Sequence, residues 1–227
     1  MARSKLLGDV LDPSVNIENI LFRLKVILSD LNNSYIDRWI RGELEGYKEV
    51  DELPEYRKTE GVVMGTFFVN NSVKYTNSNV PLEILIDSQK IKGIKTLHFH
   101  DSINSIQEHV NRDDNSTFEK IIPTAFCHHI SSYSLQIGSM KVKASHTVFS
   151  GIISSVKSKL VEIIMELEKQ FDNIDDLDIS PQLDSHKVDT KEVTYNIEKI
   201  IFGDPISIGD GNRIEKSDIG HIVNGKE

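Results

Sequence analysis

One cysteine, Cys127, is present among 227 residues. A single thiol excludes an internal disulfide framework and removes the cysteine pairs from which most structural zinc sites are built. Proteins of the reducing cytoplasm keep their few cysteines as free thiols. We therefore predict a cytoplasmic protein.

Long apolar runs are also missing. No segment approaches the roughly 18 uninterrupted apolar residues that a membrane span requires, and the first residues contain no apolar stretch of signal-peptide length. The sequence accordingly predicts a protein that is neither secreted nor embedded in a membrane, and that has no membrane partner.

A basic excess is absent as well. The 26 Lys and Arg residues are outnumbered by 35 Asp and Glu residues, and the formal net charge is -9. Because the basic residues are scattered among the acids, no broad electrostatic footprint for nucleic acid is visible. A local groove stays compatible with this composition, so nucleic acid is left open as a partner. The 38% of apolar residues is sufficient for a hydrophobic core.

The familiar catalytic motifs are not found. The chain has no Gly-x-Ser-x-Gly elbow, no Walker loop and no His-Glu-x-x-His helix. Cys127 and His128 are adjacent, but catalytic cysteines and histidines are usually brought together from distant positions, so Cys127 is better interpreted as a small core residue. We predict no catalytic set and no cofactor.

Six residues in two short segments are of types that bind zinc or iron: His98, His100, Asp101, Cys127, His128 and His129. Alternation along a strand would direct His98 and His100 to one face, where two imidazoles can meet one ion. The competing interpretation is surface or packing histidines. A third ligand at a recognised spacing is lacking, and His128 and His129 would point apart on a strand, so we predict no metal site.

The N-terminal part has the pattern of two helices. Apolar residues recur at spacings of three and four over residues 13–31, with Asp12 as the predicted cap and Pro13 in the first turn. A second helix is predicted from a cap at Ser34 to a left-handed exit at Gly46. The short connection between them predicts an αα-hairpin.

The middle of the chain has the composition of strands. Residues 61–69 and 73–75 are predicted to form a β-hairpin around Asn70-Asn71-Ser72. Four further segments follow: residues 81–86 as a strand or a helix, 96–100 as a strand, 102–110 as the start of a helix, and 135–149 as a strand.

A long helix is predicted next, because eight apolar residues trace one face: Ile152, Ile153, Val156, Leu160, Ile163, Ile164, Leu167 and Phe171. Its other face, with residues such as Lys159 and Glu166, is predicted to be solvated. The acidic residues 172–189 are interpreted as a linker or a loosely packed loop, and we place a domain boundary there.

The remaining residues, 193–227, have the composition of β-strands and turns. Isoleucines punctuated by Gly, Asp and Asn are typical of a β-solenoid rung, and four of them form the predicted oligomerisation element: Ile206, Ile208, Ile214 and Ile219. A phosphate loop at residues 203–211 is disfavoured, since the Lys-Ser/Thr pair and the following helix are lacking. One rung cannot bury its own apolar face, so the tail is predicted to need a neighbour, either a second copy or a partner protein. The alternative is a frayed terminus.

The most informative stretch runs from Trp39-Ile40-Arg41-Gly42-Glu43-Leu44-Glu45-Gly46-Tyr47 to Asp51-Glu52-Leu53-Pro54-Glu55-Tyr56-Arg57. It resembles the signature of the AbiTii domain, in which a helix with Trp, Glu-Leu and Gly-Tyr precedes a Pro-Glu-Tyr-Arg turn. Weaker similarity continues to residues 156–168, where Lys157-Ser158 stands in place of the Arg-Asn pair common in the family. The resemblance implies a role in bacterial abortive infection and phage defence.

Three residues of this stretch are the candidate site. Glu43, Tyr56 and Arg57 are interpreted as a polar network that fixes the turn, with Trp39 and Leu44 as core anchors. The sharper alternative is a ligand site built from the same Tyr and Arg side chains.

The predicted fold class is α+β: an N-terminal helical hairpin, a mixed or antiparallel sheet, a long C-terminal helix and a solenoid-like β tail. Residues 1–190 form the AbiTii-like domain and residues 191–227 the β-rich tail. We expect a non-enzymatic, homo-oligomeric sensor or adaptor, with a phage protein or another defence protein as a further partner. The alternative is a toxic effector enzyme that acts on nucleic acid or nucleotides.

Overall fold

The helices carry most of the hydrophobic core. A computed structural model describes residues 3–111, 117–184, 188–203, 206–207 and 213–214. Within these residues the α-helices are α1 (Lys5–Leu11), α2 (Ile17–Ser29), α3 (Ser34–Glu45), α4 (Ser88–Lys95), α5 (Ile103–Asn111), α6 (Thr124–Ile130), α7 (Thr147–Gln170), α8 (Ser180–Asp184) and α9 (Thr190–Phe202). None of these helices is both long and apolar enough to span a bilayer.

The strands of the described residues form three separate sheets. They are β1 (Lys58–Glu60), β2 (Val62–Val69), β3 (Val73–Asn79), β4 (Thr96–His98), β5 (Phe118–Ile122), β6 (Leu135–Ala144), β7 (Ile206–Ser207) and β8 (Arg213–Ile214). The main sheet has the order β3-β2-β6-β5, and β1 pairs with β4 and β7 with β8. Every pairing is antiparallel, so the α+β prediction with an antiparallel sheet is confirmed.

The predicted helical hairpin is confirmed as α2 and α3, but both caps are displaced. Asp12 instead closes a turn with Ser14, and the side chain of Asn16 caps α2 by accepting from the Glu18 N–H at 2.9 Å. Asn33 caps α3, accepting from the N–H groups of Tyr35 and Ile36. The predicted caps, Asp12 and Ser34, and the observed caps, Asn16 and Asn33, all have the chemistry of a helix cap. Only the backbone path decides which residue is used.

The predicted β-hairpin is also confirmed. β2 pairs with β3 from Val69 and Val73 onward, and Asn70 and Asn71 both have positive φ angles, 48° and 53°. Tight hairpin turns require this left-handed backbone, which asparagine tolerates better than most residues.

Several predictions for the middle segments need correction. Residues 82–84 form a single 3-10 turn, β4 ends at His98, and β6 ends at Ala144. His128 and His129 lie on α6, not on a strand. Residues 81–86 and 96–100 are shorter than about eight residues, where periodicity does not separate helix from strand. After β6, the polar residues Ser145 and His146 lead directly into α7.

The long helix α7 is confirmed as the central element of the core. Its predicted apolar face is buried, with Val156, Leu160, Ile163, Ile164 and Leu167 each 0% exposed. The helix begins at Thr147, five residues before the predicted start. Cys127 is also fully buried in the core, as predicted.

The charge pattern predicted that the opposite face of α7 is solvated, but part of this face is covered. Glu166 is buried and Lys159 is half-buried. Both contact α9: Lys159 Nζ donates to the Ile200 carbonyl at 2.6 Å, and Asn196 Nδ2 donates to Glu166 Oε1 at 2.8 Å. A second helix therefore covers part of the face that the sequence marked as polar.

The acidic stretch after α7 is packed where the structure describes it. Ile174 and Ile179 are 2% and 0% exposed, and the Ile179 N–H donates to the Asp30 carboxylate at 3.2 Å. The prediction of a loosely packed linker is wrong for this part, because two isoleucines anchor the loop to the core.

The C-terminal region begins with a helix, so the strand prediction for residues 193–202 is wrong. Val193, Ile197 and Ile201 recur every four residues and are buried on one face of α9. After Gly203, β7 and β8 pair with each other, whereas the strands of a solenoid rung pair in parallel with the next rung. Ile206 and Ile214 lie on these strands; Ile208 and Ile219 lie outside the described residues.

Candidate functional site around Glu43 and Arg57

Glu43 lies on the buried face of α3. It shares that face with Ile36, Trp39, Ile40 and Leu44, which follow the three-and-four spacing of an amphipathic helix. The carboxylate is 0% exposed. A charged group at such a position requires partners, because burying an unpaired charge is very costly.

Arg57 supplies the opposite charge. It ends the 3-10 turn Glu55–Arg57 that follows Pro54, and its N–H donates to the Pro54 carbonyl at 2.9 Å. Its guanidinium is also 0% exposed. Nη2 donates to Glu43 Oε2 and Nε donates to Oε1 at 3.3 Å, so the pair is bidentate.

Two tyrosines complete the hydrogen bonding of the carboxylate. The hydroxyls of Tyr47 and Tyr56 donate to Glu43 Oε1 at 2.8 and 2.7 Å. Trp39 Nε1 donates in turn to the Tyr56 hydroxyl at 2.7 Å. Burial, followed by the Glu43 charge, raises the pKa of both tyrosines well above 10.0, so both stay protonated and remain donors. We call Trp39, Glu43, Tyr47, Tyr56 and Arg57 the Glu43 network.

Arg57 also connects the network to the loop before α5. Its Nη1 donates to the Asp101 carbonyl at 2.5 Å, and its carbonyl accepts from the Phe99 N–H at 2.9 Å. The guanidinium carbon lies 5.3 Å from the centroid of the Tyr47 ring. Burial lowers the pKa of Arg57, but the charge and hydrogen bonds of Glu43, together with Tyr47 and Tyr56, oppose it, so the net pKa is raised.

Two glycines allow the Tyr47 ring to fold back onto α3. A Cβ at Gly42 would lie 2.3 Å from Tyr47 Cε1. Gly46 has a φ of +90°, and a Cβ there would lie 2.9 Å from the His100 carbonyl oxygen, which accepts from the Tyr47 N–H at 2.7 Å. Gly42 thus leaves room for the Tyr47 ring, and Gly46 allows the backbone turn that brings Tyr47 back to α3.

Lys159 also lies next to the network, a position that the sequence did not indicate. Its Nζ lies 5.6 Å from the centroid of the Tyr56 ring and donates to the Ile200 carbonyl. Burial lowers the pKa of Lys159, against the opposing influence of Glu162 and Glu43. No sequence signal separates it from the exposed lysines of α7, since its position depends on how α9 packs.

The charged pair at the centre of the network is fully buried. The structure places Glu43, Tyr56 and Arg57 in one cluster, and the polar contacts described above join them to other parts of the chain. A cavity of about 480 Å³ beside the network is lined by Tyr47 and His100 among others but not by Glu43, Tyr56 or Arg57. The geometry locks α3 to the turn and to the loop before α5.

Of the candidate metal ligands, His100 adjoins the Glu43 network through its carbonyl, which accepts from the Tyr47 N–H. The rings of His98 and His100 have centroids 6.4 Å apart and are tilted by 44°. Burial and the charges of Lys120, Lys58 and His100 lower the pKa of His98. Within the part of the chain that the structure describes, no three His, Cys, Asp or Glu side chains are grouped so that they could hold a metal ion.

The fold and the buried network together define an α+β domain in which a signature helix and turn are joined by an internal ion pair. The AbiTii family model matches residues 4–193, and the chain belongs to this family. Family membership implies a role in abortive infection and phage defence. No curated protein and no solved structure matches the chain.

Proposed function

We propose that this protein acts in abortive infection as a non-enzymatic module that assembles through its C-terminal segment. The observation that carries the proposal is the burial of the Glu43 and Arg57 side chains in the Glu43 network. The buried side chains of the family signature stabilise the fold from within, which leaves contacts with other molecules to other residues of the protein. The proposal places the assembling contact in the strands that follow α9.

The helix α9 supports this placement because it fixes the start of the C-terminal segment. Val193, Ile197 and Ile201 are buried in the core. Three polar contacts also hold α9: Asn33 to Glu198 at 2.8 Å, Asn196 to Glu166 at 2.8 Å, and Lys159 to the Ile200 carbonyl at 2.6 Å. We call these three contacts the α9 latch. The strands after Gly203 therefore leave the domain from an anchored point.

The size of the strand pair supports the need for a neighbour. β7 and β8 have two residues each, and Ile206 pairs with Ile214. Isolated two-stranded hairpins are marginally stable in water and gain independent stability only with a third strand or a packed partner. A second copy of the same segment provides such a partner with closed symmetry.

The test is the mass of the full-length protein in solution, measured by light scattering after gel filtration. Ile206→Asp with Ile214→Asp should reduce the assembly to a smaller species, because two carboxylates would be buried at the contact. The matched control is Ile84→Asp, at a position that is 67% exposed, and it should leave the mass unchanged. An assembly that persists in the double variant, or a wild-type protein that is a monomer, would overturn the proposal.

A measurement in cells separates this proposal from the effector-enzyme alternative. Expression of the protein should leave cellular RNA and nucleotide levels unchanged unless another component is added. Rapid loss of RNA or nucleotides that disappears in a single folded variant, such as His100→Ala, would assign the protein to the effector enzymes instead.

A further inference from the structure

The main sheet has one face that the helices leave open. Its inner face supplies core residues such as Val63, Ile137, Met140 and Val142. The outer face alternates with these and is exposed at Val62, Phe68, Gln136, Ser139 and Ile121, with Ile121 80% exposed. The exposed apolar residues lie on β2 and β5, the two strands that flank β6, so they border one surface.

The charge of this outer face is opposite to that of the whole protein. It carries Lys74, Lys141 and Lys143 but one acid, Glu119, in a chain where acids outnumber bases by 35 to 26. The cross-strand register places Glu119 opposite Lys143 and Ile121 opposite Lys141. The face therefore has a local positive charge.

Two of these lysines already hold one anionic group. Lys141 and Lys143 are two residues apart on the same face of β6, and their Nζ atoms lie 2.8 and 3.0 Å from the two carboxylate oxygens of Glu119. A phosphate oxygen has the same preference for ammonium donors. The lysine pair is thus spaced to bind an anion, and Glu119 occupies that position from the edge strand.

Phe68 extends the same surface toward the other end of the sheet. It pairs with Gln136 on β6 and with Lys74 on β3, and the Lys74 Nζ lies 5.9 Å from the centroid of the Phe68 ring. Lys141 lies five positions after Gln136 on β6, which is roughly 15 to 20 Å of strand. Cationic and apolar groups lie together at both ends of this length, and the uncharged pair Thr66 and Ser139 lies between them.

We propose that the outer face of the sheet, comprising Val62, Phe68, Lys74, Ile121, Lys141 and Lys143, binds single-stranded nucleic acid. Lys74 is placed to contact a backbone phosphate, and Lys141 and Lys143 can each do so when phosphates displace the Glu119 carboxylate. The apolar side chains beside the lysines offer surfaces for unpaired bases. A duplex would present only phosphates to this flat face and would leave Phe68, Val62 and Ile121 against its charged backbone. A membrane is disfavoured because the apolar residues are separated by ion pairs and lie on a sheet, not on an amphipathic helix.

The experiment measures binding of the full chain to a fluorescein-labelled oligouridylate of about sixteen nucleotides, the upper end of the site sizes of single-strand-binding barrels. With three phosphate contacts, the logarithm of the association constant should fall with the logarithm of the salt concentration at a slope of about -2. The affinity should therefore fall about 16-fold between 50 and 200 mM salt. The variant Lys141→Gln with Lys143→Gln should weaken binding and reduce the slope to about one third. Phe68→Ser should weaken it about fivefold or more without changing the slope.

The control Lys92→Gln with Lys191→Gln removes the same charge from exposed positions on α4 and α9 and should bind like the wild type. Equal effects of the two lysine pairs would overturn the proposal, because they would show that only net charge matters. Binding to a duplex of the same length as tight as to the single strand would overturn it as well. So would lysine-dependent binding confined to vesicles of phosphatidylcholine and phosphatidylserine. These measurements are independent of the assembly through β7 and β8.

Discussion

The Glu43 network and the α9 latch are both sets of polar contacts that hold a helix in place, but the two sets differ in their access to water. In the network both charged partners are fully buried, and the carboxylate accepts from Arg57 and from two tyrosines. In the latch, Asn33, Lys159 and Asn196 are half-buried, and each contact is a separate hydrogen bond. The network therefore depends on all of its members at once, whereas the latch contacts contribute one by one.

The largest expected effect comes from removing the buried cation. Arg57→Ala leaves the Glu43 carboxylate without its charge partner and should lower the free energy of unfolding by about 3–5 kcal/mol, measured by urea denaturation. Arg41→Ala removes an exposed arginine that pairs with Asp37 on the same helix, and it should cost less than about 0.5 kcal/mol.

Arg57→Lys sharpens this result. A lysine keeps the charge but cannot make the bidentate contact, so its cost should lie between those of the two alanine variants. Equal stability of the Arg57→Ala and Arg41→Ala proteins would show that the buried pair does not hold the turn.

A second effect is expected at alkaline pH. The folded pKa values of Tyr47 and Tyr56 lie above the unfolded value near 10, so their contribution to stability is complete below pH 10 and is lost as the pH rises further. The free energy of unfolding should fall by up to about 1.4 kcal/mol per pH unit for each tyrosine.

Urea titrations on both sides of pH 10 test this slope. Tyr47→Phe with Tyr56→Phe should abolish it, while Tyr133→Phe, at a residue that is 81% exposed, should retain it. A slope that survives in the double variant would assign the alkaline transition to other groups.

A third, intermediate loss of stability is expected when the space that Gly42 leaves for the Tyr47 ring is filled. Gly42→Ala places a Cβ against the Tyr47 ring, which must move, and should cost about 1–3 kcal/mol. Gly151→Ala is the matched control, because nothing lies within 4 Å of a Cβ there and the helix interior gains about 0.5–1 kcal/mol. Stabilisation by both substitutions would contradict the proposed packing of the ring.

The smallest effect is expected in the latch. Asn196→Ala removes one hydrogen bond to Glu166, which keeps its contacts with Lys169 and Gln170, so the cost should be about 0.5–1.5 kcal/mol. Asn19→Ala, at an exposed position of α2, makes the same change in helix propensity without losing a contact. A loss in the Asn196 variant as large as that of Arg57→Ala would remove the distinction between network and latch.

Elements with long, regular periodicity were predictable from the sequence. The apolar faces of α2, α3 and α7 and the hairpin of β2 and β3 follow from spacing and turn chemistry alone. The same reasoning failed for α9, because the run Ile200-Ile201-Phe202 hides the four-residue spacing of Val193, Ile197 and Ile201. It also failed for residues 172–184, where composition suggested a linker but Ile174 and Ile179 are buried.

The sequence indicated which residues belong to the candidate site but not how their side chains are arranged. The residues Glu43, Tyr56 and Arg57 were recognised by their positions in the signature, and the structure places them in direct contact. The inclusion of Tyr47 depends on the positive φ of Gly46 and the absence of a side chain at Gly42. The approach of Lys159 depends on α9, which is 31 or more residues away along the chain.

For this protein the sequence by itself determined the helical and strand periods, the charge balance and the family signature, since these depend on residues that are near one another in the chain. Tertiary structure decided how the signature side chains are arranged. The pairing of Glu43 with Arg57 depends on the packing of the turn, α3 and the loop before α5, and both side chains are fully buried in that ion pair. Long-range packing likewise made α9 part of the core and left the outer face of the sheet open.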